Sequence, residues 1–347
     1  MTLGLSILGA RLRDAGLTAR ALAAWCGTAR LSAVPARIDA EPPITPAGAI
    51  LSLCVAGARV ARDQLRTVRD DVIDALVAHD LVERAGDALR ARCAILPLGS
   101  PDPLGPGRPL GPVSQALIVC DRLDAPVEHD LVCWPDDSSY HLASAIPSGR
   151  RADWLDLGCG SAVAALARPE LAARIAGLDL NPRAVRFAQL GAGLSGVTHL
   201  IVGAGDVGGP HEPAALVTCN APIPDPDPAE LPGMGGPYRT AWQAALTSEI
   251  WRRAAPGFFA RMWPAVRRAV RPGGLAVLHA THDALAPALA DADGERAIVT
   301  YTPDGVRGFA VAWWRPDAPR RFADVRRALT PDRPHLTPRD RDDALAS

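Results

Sequence analysis

Two aspartates and two glycines near the middle of the chain have the residue types and the spacing of a nucleotide-binding turn. A short segment in which Trp154 and Leu155 are the large apolar residues ends at Asp156, and Gly158 and Gly160 follow it. An Ala/Leu-rich segment comes next, and then a second apolar run that ends at Asp179. Glycines permit a tight turn and a close approach of the backbone to a ligand, and an acid after the second strand can accept hydrogen bonds from ribose hydroxyls. The stretch therefore predicts a strand–turn–helix–strand unit that binds a nucleotide-like ligand.

The residues around this turn restrict the ligand further. A dinucleotide site needs a third glycine three positions after the second, and this chain has Val163 there. A carboxylate at Asp156 would repel a phosphate group, whereas it suits a ligand that carries an ammonium or a sulfonium group. A dinucleotide-binding unit and a purely structural unit stay open as alternatives.

The run D-x-G-x-G-x-A, with Ala162 in its last position, resembles motif I of the class I S-adenosylmethionine-dependent methyltransferases. The resemblance implies an α/β fold with a Rossmann-like, seven-stranded sheet, and S-adenosyl-L-methionine as the cofactor. It implies that Asp179 binds the ribose and that Asp206, after a third strand-like run, binds the adenine amino group. The cofactor-binding residues expected from it are Asp156, Gly158, Cys159, Gly160, Asp179, Leu180, Asp206, Val207 and Asn220.

A fourth apolar run, residues 215–219, leads into the tetrapeptide Asn220-Ala221-Pro222-Ile223. It resembles the N/D-P-P-Y/F/W motif of methyltransferases that act on nitrogen attached to a planar group, including the release-factor glutamine and rRNA N-methyltransferases. In that group the Asn oxygen and the next carbonyl accept N–H bonds from the methyl acceptor. The resemblance makes Asn220, Ala221 and Pro222 the expected catalytic residues. Because Ile223 has no aromatic ring, a flipped purine base is disfavoured as the acceptor.

Other polar and aromatic side chains are candidates for contact with the methyl acceptor. Ser138 and Ser139 favour a helix N-cap over a catalytic role. His279 and His282 could act as a base if the acceptor is a hydroxyl, and polar surface is the alternative for both. The mechanism implied by the resemblance needs no metal ion. The expected substrate-contacting residues are Tyr140, Ile223 and Tyr238.

The first third of the chain predicts a separate module. Residues 5–26 favour two short helices, and residues 50–60 and 70–79 favour two more. Two strand-like runs around a turn at Gly86 follow them. Helices followed by a hairpin indicate a winged-helix-like domain. Such a domain could contact nucleic acid, cover the substrate or form a dimer.

Composition restricts the partners of the chain. The 347 residues include 37 basic residues, all of them arginine, and 38 acidic residues, for a net charge of −1. This balance gives no whole-chain attraction to nucleic acid or to a membrane, and the absence of lysine excludes Schiff-base chemistry. Seven cysteines without a C-x-x-C pair favour reduced thiols. With no apolar run of about 20 residues, we expect a cytoplasmic protein without membrane contact, and a homodimer is one arrangement open to it.

The sequence thus divides into four expected parts. They are a winged-helix-like domain over residues 1–112, a connecting segment over 113–150, a methyltransferase domain over 151–316 and a flexible tail over 317–347. The methyl acceptor is expected to be a protein, an RNA or a small molecule. Our leading hypothesis is transfer to an amide or amino nitrogen of a protein or an RNA. The alternatives are a small-molecule N- or O-methyltransferase and a cofactor-binding regulator without catalysis.

Overall fold

A computed structural model describes residues 3–27, 31, 34–38, 44–98, 116–125, 130–222, 257–302, 308–330 and 335–347. Within these residues the chain forms ten α-helices and thirteen β-strands. The helices are α1 (Leu5–Asp14), α2 (Ala19–Cys26), α3 (Pro46–Cys54), α4 (Asp70–Ala78), α5 (Asp137–Ala145), α6 (Val163–Ala167), α7 (Pro182–Ser195), α8 (Phe258–Ala269), α9 (His282–Ala290) and α10 (Pro338–Ala346). The strands are β1 (Val60–Ala61), β2 (Val82–Ala85), β3 (Ala88–Ala91), β4 (Ala94–Pro97), β5 (Leu117–Cys120), β6 (Arg151–Leu157), β7 (Ala172–Asp179), β8 (Leu200–Ala204), β9 (Ala214–Asn220), β10 (Val270–Thr281), β11 (Glu295–Tyr301), β12 (Phe309–Arg315) and β13 (Arg321–Arg326).

Eight of these strands form one sheet, in the order β13-β11-β12-β10-β9-β6-β7-β8. Strands β10, β9, β6, β7 and β8 pair in parallel, whereas β12 is antiparallel to both of its neighbours. Strands β11 and β12 therefore form an antiparallel pair near the end of the described chain. The carboxyl ends of the five parallel strands meet at one edge, which is where open α/β sheets bind ligands.

The centre of the sheet is buried on both faces. Strand β9 reads Ala-Ala-Leu-Val-Thr-Cys before its last residue, and all six of these residues are buried. Strands covered on both faces become continuous apolar runs, because each face has lost its contact with water. Thr218 is the polar exception in this run and is fully buried, so its hydroxyl requires a partner inside the protein.

The N-terminal elements have the order and pairing of a winged helix. Helix α3 and strand β1 are followed by a short 3₁₀ turn (Arg62–Leu65), helix α4 and the hairpin β2–β3. Strand β3 lies between β1 and β2 in a three-stranded antiparallel sheet. The hairpin turns at Gly86, whose φ of 68° favours glycine. The two short helices within residues 5–26, the helix near 70–79 and the hairpin are confirmed, whereas the helix expected over residues 50–60 spans Pro46–Cys54 and Val60 begins β1.

Helix α1 joins this module to the large sheet by packing closely on α7. Gly9 lies against the last turn of α7, where an added Cβ would stand 1.8 Å from the carbonyl oxygen of Leu194. The guanidinium Nη1 of Arg13 donates to the same oxygen at 3.1 Å. The buried apolar cluster runs without interruption from Leu8 in α1 to Trp313 in β12. The N-terminal module and the sheet therefore share one core.

The segment that we expected to be a connector pairs with the N-terminal module. Strands β4 and β5 form an antiparallel pair over four residues each, across the expected boundary at residue 112. Helix α7 lies on β5, and Gly191 leaves room for the Leu117 carbonyl oxygen, which an added Cβ would approach to 3.0 Å. The described part of this segment therefore contacts the N-terminal module through β4 and the large sheet through α7. The boundary itself lies outside the described residues.

The expectation of a flexible tail over residues 317–347 is wrong for its described part. Residues 321–326 form β13, which pairs in parallel with β11 and extends the seven strands to eight. Helix α10 contacts β11 and β13. The Asp340 side chain, which accepts a hydrogen bond from the Thr337 backbone at 2.9 Å, is also 3.2 Å from Nε of Arg327. Arg327 thus forms ion pairs with Asp340 and Asp343 that attach the last helix to the strand β13 side of the sheet.

Among the helices that the structure describes, none is both long enough and apolar enough to span a lipid bilayer.

Candidate active site

Four strand ends bring most of the predicted site residues to one edge of the sheet. Asp156 is the penultimate residue of β6, and Asp179 ends the neighbouring strand β7. Asp206 follows β8, and Asn220 ends β9 on the other side of β6. The backbone N–H of Gly205 donates to the main-chain oxygen of Asp179 at 2.9 Å, which fixes the end of β8 against the end of β7. Asp156, Asp179, Asp206 and Asn220 thus lie at the same edge of the sheet, and the space beside them is called the crevice below.

The glycine turn leaves open space beside its backbone. Gly158 and Gly160 have φ angles of 65° and 54°, in the left-handed region that favours glycine. A Cβ added to either residue would meet no protein atom within 4 Å. The glycines are therefore required by conformation, and the space next to them can admit a ligand. The N–H of Cys159 donates to the Leu178 carbonyl at 3.0 Å and fixes the turn to β7.

Asp179 holds this turn through its carboxylate. Oδ2 accepts a hydrogen bond from the Gly160 N–H at 2.8 Å, and Oδ1 accepts one from the Asn181 N–H at 2.9 Å. Desolvation raises the pKa of the Asp179 carboxyl, and these two N–H groups oppose the shift. A carboxylate can accept about four hydrogen bonds, so acceptor capacity remains for two hydroxyl groups of a ligand. Leu180, the next residue, is partly exposed at the same edge.

Asp156 is buried behind the turn. Its side chain is only 3% exposed, and its Oδ1 accepts a hydrogen bond of 2.6 Å from the Thr218 hydroxyl, which in turn accepts one of 2.7 Å from the Trp154 indole N–H. Burial raises the pKa of the Asp156 carboxyl to about 7; the Thr218 hydrogen bond lowers it, and the charge of Asp179 raises it. A cation that enters the crevice would favour the ionised form of this carboxyl.

The third acid, Asp206, follows β8 and is the most exposed of the three. Asp206 is exposed, and its Oδ1 accepts a hydrogen bond from the Gly208 N–H at 2.7 Å. Arg261 from α8 lies 3.8 Å from the same oxygen. Val207, in contrast, is buried. Asp206 is thus positioned by its own turn while one side of its carboxylate faces solvent.

Asn220 is held at both ends of its carboxamide. Nδ2 donates to the Ser138 hydroxyl at 2.7 Å, and Oδ1 lies 2.9 Å from Nδ1 of His279. The N–H of Ala221 donates to the His279 carbonyl at 2.9 Å, which aligns the strand end with β10. Pro222 is partly exposed and is the last described residue of the tetrapeptide.

The structure does not place every expected residue at the crevice. Tyr140 is buried, its hydroxyl accepts a hydrogen bond from the Leu31 N–H at 3.4 Å, and its ring stacks on His335 at 5.6 Å. The expectation that Tyr140 contacts the acceptor is therefore not supported, because its side chain joins α5 to other parts of the core. Ile223 and Tyr238 lie outside the described residues.

His279 cannot act as the base that we considered. Burial lowers its pKa to about 3, and both ring nitrogens lie within hydrogen-bond distance of neighbours, Nδ1 of Asn220 and Nε2 of the Tyr301 hydroxyl at 2.8 Å. His282 is more exposed, with Nε2 2.9 Å from Oδ2 of Asp324. A general base needs a ring nitrogen whose lone pair can reach the proton of the methyl acceptor. Both ring nitrogens of His279 are already engaged by Asn220 and Tyr301.

Sequence reasoning missed Ser138 and Thr218 as site residues. The sequence favours Ser138 as a helix N-cap, whereas Asp136 is the N-cap of α5, and the Ser138 hydroxyl accepts a hydrogen bond from Asn220. Thr218 lies in an otherwise apolar strand, and its role as a hydrogen-bond donor to Asp156 is apparent only from the pairing of the two strands. In the parallel register of β6 and β9, Thr218 is opposite Asp156. A polar residue inside an otherwise apolar strand was the one available signal.

One family model matches the part of the chain that contains this edge of the sheet. The family model for ribosomal protein L11 methyltransferase (PrmA) matches residues 143–221, which include the glycine turn and Asn220. The match is not to the release-factor or rRNA group that the tetrapeptide resembles. No curated protein matches the chain.

Several solved structures resemble part of the chain. A ribosomal protein L11 methylase from Lactobacillus delbrueckii subsp. bulgaricus is 14% identical, over 51% of this chain and 76% of that chain, with a TM-score of 0.34. A DhpI–SAH complex is 19% identical, over 49% and 78%, with a TM-score of 0.31. A predicted O-methyltransferase from Agrobacterium tumefaciens is 19% identical, over 60% and 95%, with a TM-score of 0.38.

The strand order and the position of the glycine turn decide the fold. Five parallel strands, one antiparallel strand inserted between β10 and β11, and a glycine turn after the central strand β6 make up the architecture. The chain has the α/β, Rossmann-like fold of the class I methyltransferases, extended by one strand and preceded by a winged-helix-like module.

Proposed function

We propose that this chain is an S-adenosylmethionine-dependent methyltransferase that methylates an amino or amide nitrogen of a protein. The observation that carries the proposal is the open space beside Gly158 and Gly160, in a turn whose Gly160 N–H donates to the carboxylate of Asp179. The matched family model, whose name refers to a ribosomal protein as the substrate, supports a protein rather than an RNA as the acceptor.

The residues around the crevice fit an adenosyl sulfonium ligand. Asp179 has acceptor capacity left for the two ribose hydroxyls, and Asp206 would accept from the adenine amino group. Asp156 would favour the positively charged methionine end. Backbone at Gly158, Cys159 and Gly160, together with Leu180 and Val207, would line the adenosyl part. When bound, S-adenosylmethionine supplies an activated methyl group and its leaving group.

The chain's own residues would orient the methyl acceptor. The Asn220 side-chain oxygen and the Ala221 carbonyl are the acceptors for its N–H groups, and Pro222 would limit the conformations of the Ala221 carbonyl. Such orientation is the main contribution that a protein can make to an in-line methyl transfer, and well-aligned reactants can gain up to about 7–11 kcal/mol. Neutral His279 takes no proton, so the proton released from the acceptor must pass to another group or to solvent.

The surface of the winged-helix-like module does not favour nucleic acid. The helix that would enter a major groove, α4, carries Asp70, Asp71 and Asp74 on its exposed side. Three arginines near it are paired with these acids, at N–O distances of 2.6–2.7 Å. Binding to nucleic acid depends on unpaired basic charge, and α4 offers little of it. The module therefore fits a lid or an interface for a protein substrate better than it fits a DNA-binding regulator.

Two measurements test the proposed function. Titration calorimetry with S-adenosylhomocysteine should show one binding site per chain. Incubation of a cell extract with the protein and radiolabelled S-adenosylmethionine should then place label in the protein fraction, in an acid-stable form. Binding without any transfer would favour the non-catalytic regulator, and label confined to small molecules would favour the small-molecule methyltransferase. The absence of binding would reject the proposal altogether.

A further inference from the structure

A chain of hydrogen bonds connects Asn220 to four residues from three other elements. The Tyr301 hydroxyl of β11 is 2.8 Å from Nε2 of His279 in β10, and Nδ1 of His279 is 2.9 Å from Oδ1 of Asn220. Nδ2 of Asn220 donates to the Ser138 hydroxyl at 2.7 Å, and that hydroxyl donates to Oδ1 of Asp136. The sequence separations within the chain of bonds reach 82 residues.

The carboxylate at one end determines the direction of every bond. Asp136 accepts from both the hydroxyl and the backbone N–H of Ser138. A hydroxyl has one hydrogen to donate, so Ser138 must accept from Nδ2 of Asn220. The Asn220 oxygen therefore faces His279, whose Nδ1 must carry the hydrogen. Nε2 is then the acceptor of that ring, and Tyr301 must be its donor.

The surroundings keep this arrangement in one state. His279 is 2% exposed, and burial keeps its pKa near 3, so the ring stays neutral and has one N–H. The ring of Tyr301 stacks on His141 at 4.0 Å, and His279 stacks on Phe309 at 6.1 Å. These contacts restrict both rings, since a rotation would have to displace buried neighbours.

We propose that Tyr301, His279 and Ser138 are positioning residues that hold the Asn220 carboxamide in one of its two orientations, with the oxygen on the β10 side. The inference rests on the proposed function, because it assigns Asn220 the role of contacting the methyl acceptor. A carboxamide oxygen has two lone pairs, and His279 uses one of them. The other remains at a fixed position for an N–H of the acceptor. A rotated carboxamide would present an NH₂ group at that position and repel the same N–H.

Tyr301→Phe is the decisive variant, since it removes one hydroxyl and keeps the ring that stacks on His141. We expect the rate of label transfer from S-adenosylmethionine into extract protein to fall by about fivefold to tenfold, the effect of one lost hydrogen bond. Affinity for S-adenosylhomocysteine should stay within about twofold. The matched control is Thr300→Val, the neighbouring position, whose buried hydroxyl has no hydrogen-bond partner among the described residues. This control should keep the wild-type rate.

A readout independent of catalysis is the tautomer of His279. NMR of protein labelled with ¹⁵N-histidine should show the Nδ1–H form for His279 in the wild type and a shift towards the Nε2–H form in Tyr301→Phe. A double-mutant cycle adds a kinetic test. His279→Asn keeps an N–H donor near Nδ1 and loses the contact with Tyr301, so Tyr301→Phe should have no further effect in that background.

The outcomes separate the two proposals. If the wild type does not bind S-adenosylhomocysteine, the proposed function fails, whereas the tautomer measurement still decides the positioning chain. An Nε2–H tautomer of His279 in the wild type overturns the inference. So does a Tyr301→Phe variant that transfers methyl groups at the wild-type rate.

Discussion

The Thr218 hydroxyl donates a hydrogen bond of 2.6 Å to the buried carboxylate of Asp156, across the register of β6 and β9. The Trp154 indole N–H donates to the same hydroxyl, so its single hydrogen is directed at the carboxylate. This one bond opposes the burial that raises the pKa of Asp156 to about 7. It therefore controls how much of the carboxyl is ionised at neutral pH, and an ionised carboxyl is what a cationic cofactor requires.

Thr218→Val should weaken the binding of S-adenosylmethionine at pH 7. Without the donor, the pKa of Asp156 rises further and a smaller fraction of the carboxyl is ionised. Hydrogen bonds to charged groups contribute about 1.5–3 kcal/mol, so the dissociation constant should increase by about tenfold or more. Calorimetry at several pH values measures this, and the loss should shrink as pH rises. Thr300→Val serves as the control, and an equal loss in both variants would contradict the specific role of Thr218.

Asp156→Asn should stabilise the ligand-free protein at alkaline pH while it abolishes cofactor binding. The folded pKa of about 7 lies above the ordinary value near 3.9. The folded state therefore loses stability relative to the unfolded state as pH rises from about 4 to 7. An asparagine has no charge to bury, so the free energy of unfolding at pH 8 should increase by about 2 kcal/mol, with little change at pH 4. Urea unfolding at both pH values gives the comparison.

The control for this variant is Asp153→Asn in the same strand. Asp153 accepts a hydrogen bond from the Ala215 N–H and lies 3.1 Å from Nη1 of Arg271. Removal of its charge should weaken an ion pair and bring no gain at pH 8. A gain of the same size in both variants would show that general charge reduction, rather than the burial of Asp156, is the cause.

Asp179→Ala should weaken cofactor binding by an order of magnitude or more. The carboxylate fixes the glycine turn through the Gly160 N–H and is the proposed partner of the ribose hydroxyls. Loss of charge-assisted hydrogen bonds costs about 1.5–3 kcal/mol. Asn220→Ala is the matched variant, because it should keep cofactor affinity and lose turnover. Calorimetry with S-adenosylhomocysteine separates the two, and unchanged affinity in Asp179→Ala would remove the ribose assignment.

The local patterns of the chain were sufficient to predict the glycine turn and the strand ends. Asp156, Gly158 and Gly160 are close in sequence, and Asp179 follows after one helix and one strand. Their arrangement depends on the geometry of a single strand–helix–strand unit. Such a unit has few alternatives, since parallel crossovers are right-handed in nearly every case. This is why the sequence predicts the glycine turn and the two acids beside it.

The residues that hold Asn220 in place could not be predicted from local patterns. Ser138 reaches Asn220 from 82 residues away in sequence, and Tyr301 acts on it through His279. Such contacts depend on how α5 lies against β9 and β10, which no local pattern specifies.

Strand β13 was missed for a related reason. Its exposed and partly buried residues alternate along a charged segment, and only the free edge of β11 makes that segment a strand.

The pH dependence of methyl transfer should depend on Asp136. Burial is the main cause that raises the pKa of its carboxyl to about 6; the charge of Asp137 acts in the same direction, and hydrogen bonds from Ser138 and the Ser139 N–H oppose the rise. Below pH 6 the carboxyl is protonated and no longer fixes the Ser138 hydroxyl, so the rate at saturating cofactor should fall as pH decreases. Asp136→Asn keeps an oxygen acceptor and cannot titrate. Its rate should therefore not fall through pH 6, and a profile identical to the wild type would contradict this.

Gly9→Ala tests the contact that joins the N-terminal module to the sheet. Alanine favours a helix over glycine by up to about 1 kcal/mol, so an isolated α1 would be stabilised. In the protein the new Cβ would stand 1.8 Å from the Leu194 carbonyl oxygen, and backbone must move. Overpacking of this kind costs about 1–3 kcal/mol and occasionally more, and the Arg13 hydrogen bond to the same oxygen would be strained. We expect a net loss of about 2 kcal/mol in the free energy of unfolding by urea.

The control is Gly4→Ala, where an added Cβ meets no atom within 4 Å. This change at the N-cap should cost at most about 1 kcal/mol. A Gly9→Ala variant more stable than Gly4→Ala would refute the close packing of α1 on α7.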